Sequence, residues 1–218
     1  MNDLSNYPIT IALIIINVII SLIAMNNSDV LSKTIMWPYG VKRYNQFYRF
    51  VTSGFIHNDY MHLFFNMFTL FFFGKAVETY FSGYSLGGNI TYLALYFLGL
   101  IASDLPTYFK QKDNYNYHSL GASGAVSAVV FAAVVFSPWS GIYLYGALKI
   151  SALAYAILYI FYCVAMSKRG GDNINHDAHL WGSLFGFGFT IALIAAMQPW
   201  LFDAILEELK HPSLFGRD

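Results

Sequence analysis

The sequence predicts an all-α membrane protein, a bundle of six membrane-spanning helices. Only 11% of the 218 residues are charged and 57% are hydrophobic, whereas a soluble domain carries about 25% charged residues. Apolar segments of about 20 residues, the length that crosses a bilayer, also recur along the chain. This composition makes the lipid bilayer the expected partner. Because 12 basic and 12 acidic residues cancel, we expect no binding of nucleic acid.

Six apolar segments account for the predicted spans. A proline lies in the first turn of the first segment, where it is favoured, and Pro138 and Pro199 end the fourth and sixth. The first segment is interpreted as a retained helix, because no basic residue precedes it and it is too long for a signal peptide. Asp104 and Pro106 are expected to end the third. The predicted spans are residues 8–25, 57–74, 90–105, 120–137, 142–166 and 178–197.

Two regions outside these spans are predicted to lie on the membrane surface. Residues 26–56 are rich in Trp, Tyr and Phe, which favour the membrane interface. The tail, residues 199–218, has the pattern of an amphipathic surface helix. We expect residues 1–218 to form a single membrane domain. His176 is placed in an interfacial connection, and Cys163, within an apolar run, is interpreted as a small buried hydrophobic residue.

A serine framed by glycines, Gly121-Ala122-Ser123-Gly124, opens the fourth segment. Glycines allow close backbone approach and unusual dihedral angles. The first turn of a helix also has backbone N–H groups without intrahelical acceptors, and such donors can stabilise an oxyanion. From the tetrapeptide alone, a packing face of small residues with an incidental serine is the favoured interpretation. Ser123 becomes a candidate nucleophile if another segment supplies a base.

His179, near the start of the last segment, is the candidate base. Gly182 and Gly186 follow on the same helical face, so another helix can pack closely beneath the histidine. A serine nucleophile needs a base within about 3 Å. Asp177 projects from a different face of the helix, so the pattern favours a Ser–His dyad over a triad.

His62 and Asn66 lie four residues apart on the second segment and therefore point the same way. With His57 nearby, their N–H donors suit an oxyanion hole. A metal site is the rival interpretation, but it needs a third ligand, and the sequence has neither an H-E-x-x-H motif nor a Cys–His cluster. No metal and no other cofactor is expected. Asp59, between the two histidines, is expected to be solvated.

Together these residues resemble the rhomboid family of intramembrane serine proteases. The resemblance extends over residues 48–188, most of the chain, and the order of the motifs on the expected spans is specific. The motifs are Tyr48-Arg49, His57-x4-His62-x3-Asn66, Gly74-Lys75-Ala76-Val77-Glu78, Gly121-Ala122-Ser123-Gly124 and Ala178-His179-x2-Gly182-x3-Gly186.

The resemblance implies a serine endopeptidase that cleaves transmembrane segments of other membrane proteins and needs no cofactor. Ser123 would be the nucleophile and His179 the general base. His62, Asn66 and the Ser123 backbone N–H would form the oxyanion hole. Supporting roles would fall to His57, Gly121, Gly124, Gly182, Gly186, Arg49 and Glu78.

The resemblance also implies a multi-pass protein of the cell (inner) membrane, with its N-terminus inside and its active site open to the outer side. The basic residues of the connections predict the opposite orientation. A non-catalytic relative that binds membrane helices is the alternative function. The family often has an aromatic residue four positions after the serine, stacked on the histidine, but here that position is Ser127. We therefore expect another aromatic residue to orient the imidazole.

Overall fold

The structure, a computed structural model, describes residues 4–144, 148–171 and 174–217. Within these residues the chain folds into ten α-helices and one antiparallel β-hairpin, with short 3-10 turns at Leu4–Asn6 and Ser53–Phe55. In chain order the elements are α1 (Pro8–Met25), α2 (Ser28–Thr34), α3 (Pro38–Tyr44), α4 (Arg49–Thr52), α5 (Tyr60–Gly83), α6 (Gly88–Gln111), α7 (Ser123–Phe136), β1 (Gly141–Leu144), β2 (Leu148–Ser151), α8 (Ala152–Arg169), α9 (His176–Met197) and α10 (Leu201–Leu209).

The predicted all-α membrane bundle is confirmed as the fold class. Each of the six predicted spans falls on a helix, namely α1 and α5 to α9. Among the described residues, α1, α6, α8 and α9 are long and apolar enough to cross a membrane. α7 is apolar but has 14 residues, and α5, with 24 residues, is not apolar enough by the same measure. Six is therefore an approximate count of complete spans.

Three helices, α5, α7 and α8, begin later than predicted, and in α5 and α8 a capping residue sets the boundary. Asp59 caps α5 by accepting a hydrogen bond from the His62 backbone N–H at 2.8 Å. Ser151 caps α8 by accepting one from the Ala154 N–H at 3.3 Å. Of the residues predicted to open α8, those of β1 and β2 instead pair antiparallel, and residues 145–147 lie outside the described part of the chain. A side-chain acceptor for the first-turn amides is the usual signal for a helix start.

α6 continues through Pro106, where the sequence predicts its end. A proline inside a helix removes one backbone hydrogen bond and costs about 3 kcal/mol. Contacts with the start of α9 hold the last turns of α6 in place. Thr107 Oγ1 donates to Asn175 Oδ1 at 3.1 Å, and Lys110 Nζ donates to Asp177 at 3.1 Å. These tertiary contacts compensate part of the cost of the proline, and the helix continues to Gln111.

α7 lies at the centre of the bundle. α5, α6 and α9 pack around it, and every residue from Gly124 to Val135 is buried. Half of its residues are Gly, Ala or Ser, which lets neighbouring helices approach closely. Its 14 residues give a length of about 21 Å, whereas the bilayer core is about 30 Å thick. The two ends of α7 therefore cannot both reach the membrane surfaces.

The backbones of α7 and α9 touch along a row of small residues. A Cβ atom added to Gly182 would lie 2.1 Å from the Gly124 carbonyl oxygen, and one added to Gly186 would lie 2.1 Å from that of Ala128. Real Cβ atoms do not approach backbone so closely. Both positions therefore require glycine, and the two helices sit at the smallest separation that their backbones allow.

Glu78, on α5, caps the start of α1. Its carboxylate accepts hydrogen bonds from the backbone N–H groups of Ile9 and Thr10 at 2.9 and 3.0 Å. It also accepts one from Thr10 Oγ1 at 2.7 Å. The first-turn amides of a helix lack intrahelical acceptors and carry partial positive charge. A buried carboxylate at this point is therefore paired with donors, and α1 is attached to α5.

Arg49 holds the interfacial helices together. Its guanidinium donates to the backbone carbonyls of Ser32 at 3.0 Å and Ile35 at 2.6 Å, and to Gln46 Oε1 at 2.7 Å. One buried side chain thus connects α2, the turn that follows it, and α4. Burial lowers the pKa of Arg49 below its ordinary value, but an arginine keeps its charge in proteins.

The tail folds back on the hairpin. Trp139 Nε1 donates to the Glu208 carbonyl at 2.7 Å, and Arg217 donates to the Glu208 carboxylate at 2.7 Å. Leu201, the first residue of α10, is buried against the core. The amphipathic tail is therefore a helix fixed at one end of the bundle.

We predict that Gly186→Ala destabilises the protein in detergent, whereas Gly188→Ala does not. A methyl group at Gly186 would overlap the Ala128 carbonyl, while a Cβ at Gly188 has no atom within 4 Å. Overpacking of this kind costs about 1–3 kcal/mol. Thermal unfolding of the two purified variants and the parent measures the difference. Equal unfolding temperatures for the two variants would contradict the close contact of α7 with α9.

We also predict that Glu78→Gln lowers the unfolding temperature. The amide has a single acceptor oxygen where the carboxylate has two, and hydrogen bonds to a charged group contribute about 1.5–3 kcal/mol. Glu207→Gln, on the exposed face of α10, is the matched control and is expected to unfold with the parent. A Glu78→Gln variant as stable as this control would show that the cap of α1 is unimportant.

Candidate active site

Gly121 forms the turn that leads into α7. Its φ of +120° lies in the left-handed region that favours glycine. A Cβ atom here would also lie 2.7 Å from the His62 ring. The Gly121 N–H donates to the Ser53 carbonyl at 3.0 Å, which fixes the turn. Two independent constraints therefore require glycine, and the turn makes Ser123 the first residue of α7.

Ser123 and His179 are hydrogen-bonded, with 2.8 Å between Ser123 Oγ and His179 Nε2. Both side chains are half-buried. His179 lies in the first turn of α9, which Asn175 caps by accepting from the Ala178 N–H at 3.1 Å. The contact of Gly182 with the backbone of Gly124 brings the two helix starts together. This distance is what a nucleophile and its base require.

Gly124 also allows α6 to pack closely against the start of α7. A Cβ atom at Gly124 would lie 2.1 Å from Ser103 Oγ, and Ser103 is itself buried. A narrow cleft beside Ser123 is lined by the facing ends of α6, α7 and α9. Its lining residues are Leu100, Ser103, Asp104, Ser119, Leu120, Gly121, Ser123, Gly124, Asn175 and Ala178. Asp104 is predicted from the sequence only as a helix end, and no pattern in the sequence singles out Ser103.

His62 and Asn66 lie on the face of α5 that is turned toward the start of α7. The His62 ring rests against Gly121, two residues before Ser123. Asn66 is buried, and its amide donates one of its two N–H groups to the His62 carbonyl at 3.0 Å. Asp59 is exposed, as expected, and the His62 backbone N–H lowers the pKa of its carboxyl.

His57 is fully buried and links α1 to the start of α7. Ser21 Oγ donates to the Phe55 carbonyl at 3.0 Å, so it accepts from His57 Nδ1, which lies 2.8 Å away. The other ring nitrogen, Nε2, accepts from the Ala122 N–H at 3.4 Å. This pattern assigns the proton to Nδ1 and makes His57 neutral. The imidazole thereby holds the residue that precedes Ser123.

Tyr159, on α8, stacks on the imidazole of His179. The ring centroids are 6.3 Å apart and the planes differ by 18°. The Tyr159 hydroxyl lies 3.2 Å from Ser127 Oγ, one turn after Ser123. An aromatic residue from a different helix thus stands beside the histidine, as expected from the serine at position 127. No sequence pattern distinguishes Tyr159 from the other tyrosines among the 17, because the position of Tyr159 in the sequence does not show that α8 packs beside α7.

Two other predicted residues have definite positions. Asp177 hydrogen-bonds Ser167 and forms an ion pair with Lys110, so it does not complete a triad with His179. His176 was expected in an interfacial connection, and this is wrong. It lies in the first turn of α9, is 3% exposed, and has its ring 5.8 Å from that of His179. The three-residue spacing of these histidines signals that they share a helical face.

The fold and this geometry define a helical membrane protein with a serine–histidine pair at the start of two touching helices. Sequence comparison gives the family. The model of the Rhomboid domain matches residues 44–196, well over half of the chain. The chain therefore belongs to the rhomboid family.

Two curated relatives are similar to this chain over about the same length. RHOMBOID-like protein 12, mitochondrial, of Arabidopsis thaliana is 29% identical over 143 residues, which cover 61% of this chain and 42% of the relative. Presenilin-associated rhomboid-like protein A, mitochondrial, of Danio rerio is 32% identical over 139 residues, covering 62% and 35%. The matched part of this chain spans less than half the length of either relative.

These comparisons and the helices support a multi-pass membrane protein. Both relatives are named as mitochondrial proteins, so the comparisons do not support the predicted location in the cell (inner) membrane. The orientation of the N-terminus and the extent of a single domain over residues 1–218 stay predictions.

Proposed function

We propose that this protein is an intramembrane serine endopeptidase that cleaves transmembrane segments of other membrane proteins with a Ser123–His179 dyad. The observation that carries the proposal is the 2.8 Å hydrogen bond between Ser123 Oγ and His179 Nε2. Membership of the rhomboid family supports the same reading of the pair.

In the proposed reaction, His179 Nε2 takes the proton of Ser123 Oγ as the oxygen attacks the scissile carbonyl carbon. The tetrahedral intermediate collapses when His179 gives that proton to the leaving amine, which departs and leaves an acyl-enzyme. A water molecule then attacks the ester, again with His179 as the base. Ser123 is released with its hydroxyl restored, and the second product is a carboxylic acid. No cofactor takes part.

The start of α7 supplies donors for the oxyanion. Asp59 and Asn175 cap α5 and α9 with side-chain acceptors, but the N-cap of α7 is Ala122, whose side chain accepts no hydrogen bond. The amide of Ser123 lies at the positive end of the helix dipole. With His62 and Asn66 on the adjacent face of α5, we assign this amide to the oxyanion hole, where each donor contributes about 2.7–4 kcal/mol.

The short length of α7 suits hydrolysis inside a membrane. Water must reach the acyl-enzyme, and polar groups line the cleft beside Ser123. A substrate helix must also unwind locally, because its carbonyl groups are hydrogen-bonded while it remains helical. The proposed substrates are therefore transmembrane segments that unwind at the end of α7 where Ser123 lies.

The first test of the dyad is covalent labelling of Ser123 by a fluorescent fluorophosphonate, together with cleavage of a reporter protein that has one transmembrane segment. We expect labelling and cleavage with the parent protein, and neither labelling nor cleavage with Ser123→Ala. His179→Ala is expected to lower the rate of both by about 10⁴-fold, since a missing base abolishes activation of the serine. Ser82→Ala, exposed on α5, is the matched control and is expected to behave as the parent.

Cleavage by Ser123→Ala at the parental rate would reject the proposal. A parent that binds the reporter but neither reacts with the fluorophosphonate nor cleaves would favour the alternative, a non-catalytic protein that binds membrane helices.

We predict that Tyr159→Ala lowers kcat about 2- to 10-fold with little change in KM, because an aromatic pair contributes about 0.5–1.5 kcal/mol. Tyr159→Phe keeps the ring beside His179 and loses the hydroxyl with its contacts to Ser127 and Cys163, so we expect it to restore most of the rate. Steady-state cleavage of the reporter measures both. If the Phe variant loses as much as the Ala variant, the stack does not orient the imidazole.

A further inference from the structure

A cysteine and two histidines form a cluster at the proposed base. Cys163 on α8 and His176 and His179 on α9 each have a donor atom within 4.8 Å of the other two. Cys163 is 0% exposed and His176 is 3% exposed, while His179 is half-buried. No sequence pattern predicts this Cys–His cluster, because its members lie on two helices that meet only in the fold.

We propose that Cys163, His176 and His179 bind a Zn²⁺ ion and that the bound ion reversibly inhibits the enzyme. A thiolate with two imidazoles is a ligand set that zinc accepts, with a water as the fourth ligand. Zinc binds thiolate sulfur at about 2.3 Å and imidazole nitrogen at about 2.0–2.1 Å, so a tetrahedral ion places its ligand atoms about 3.3–3.7 Å apart. The donor atoms lie within 4.8 Å of one another, so each pair needs to move closer by about 1.5 Å at most.

The position of the three residues allows that movement. His176 and His179 are three residues apart in the first turn of α9 and share one face. Cys163 is one of three buried residues on α8, so α8 is held to the bundle by few side chains. The ion can approach from the cleft side, because Ser123 and His179 are both partly exposed.

Zinc would inhibit the protein by binding the imidazole of His179, the proposed base. This step rests on the proposed function, in which His179 accepts the proton of Ser123. An imidazole that binds a metal through one nitrogen carries its proton on the other, so neither nitrogen can then accept a proton. Binding replaces the thiol proton of Cys163, which is released to water as the thiolate binds the ion. Removal of zinc by a chelator reverses both changes.

Binding is tested first, without reference to activity. Protein without a histidine tag is titrated with Zn²⁺ against a chromophoric chelator, and separately with Co²⁺, whose bond to a thiolate gives a charge-transfer absorption band. We expect one tight site in the parent. Cys163→Ala is expected to lose the absorption band and to bind zinc at least tenfold more weakly. His118→Ala, at an exposed histidine outside the cluster, is the matched control and is expected to bind as the parent.

Inhibition is tested next, by the rate of Ser123 labelling with the fluorophosphonate. Each variant is compared with its own rate in a chelator. We expect Zn²⁺ to slow labelling of the parent, EDTA to restore it, and Cys163→Ala to need at least tenfold more zinc for half-inhibition. Thermal unfolding of Cys163→Ala checks that it is folded, and Cys163→Ser serves in its place if it is not.

The two proposals fail in different ways. If the parent is labelled but zinc binds and inhibits equally in the parent and in Cys163→Ala, the zinc site is rejected and the dyad stands. If the parent binds zinc through Cys163 but Ser123 is never labelled by the fluorophosphonate, the zinc site is supported and the proposed peptidase activity is rejected. Loss of the site in His118→Ala would also overturn the inference, because the ligand would then be a surface histidine.

Discussion

The backbone contact between α7 and α9 determines the geometry of the site. Lipid surrounds a membrane helix with groups as apolar as its own side chains, so helices associate through close packing rather than through escape from water. Gly182 and Gly186 let α9 rest on the carbonyl groups of α7. The start of each helix then lies beside the other, and the Ser123–His179 hydrogen bond follows from that position. The geometry of the proposed dyad thus results from glycine packing several residues away.

Polar side chains fix the outer elements to this central pair. An unsatisfied polar group inside a bilayer costs several kcal/mol, and the main buried groups here have partners on other elements. Glu78 attaches α1 to α5, His57 attaches α1 to the start of α7, and Arg49 gathers the interfacial helices. Each buried polar residue that the sequence singled out as supporting connects two elements. The site is therefore held from several sides rather than by α7 and α9 alone.

How much the sequence predicts depends on whether the signal lies on one element. The bounds of α1 agree because Pro8 and a continuous apolar run define them. Ser123 was predicted because glycines flank it, and His179 because glycines follow it at helical spacing. The predicted end of α6 at Pro106 is wrong, because contacts with the start of α9 help to hold the helix together beyond the proline. Tyr159 and the cluster with Cys163 were missed, because their partners lie on other helices and become neighbours only after packing.

The stack of Tyr159 on His179 makes the proposed base dependent on a helix that has few buried residues. α8 presents most of its surface outward, so the lateral pressure of the surrounding lipid chains acts on it directly. A displacement of α8 would rotate or release the imidazole while Ser123, fixed at the start of the buried α7, stays in place. Chain length and order in the bilayer would then set the fraction of molecules with an aligned dyad. If the protein is the proposed peptidase, the membrane would in this way act as its effector as well as its solvent.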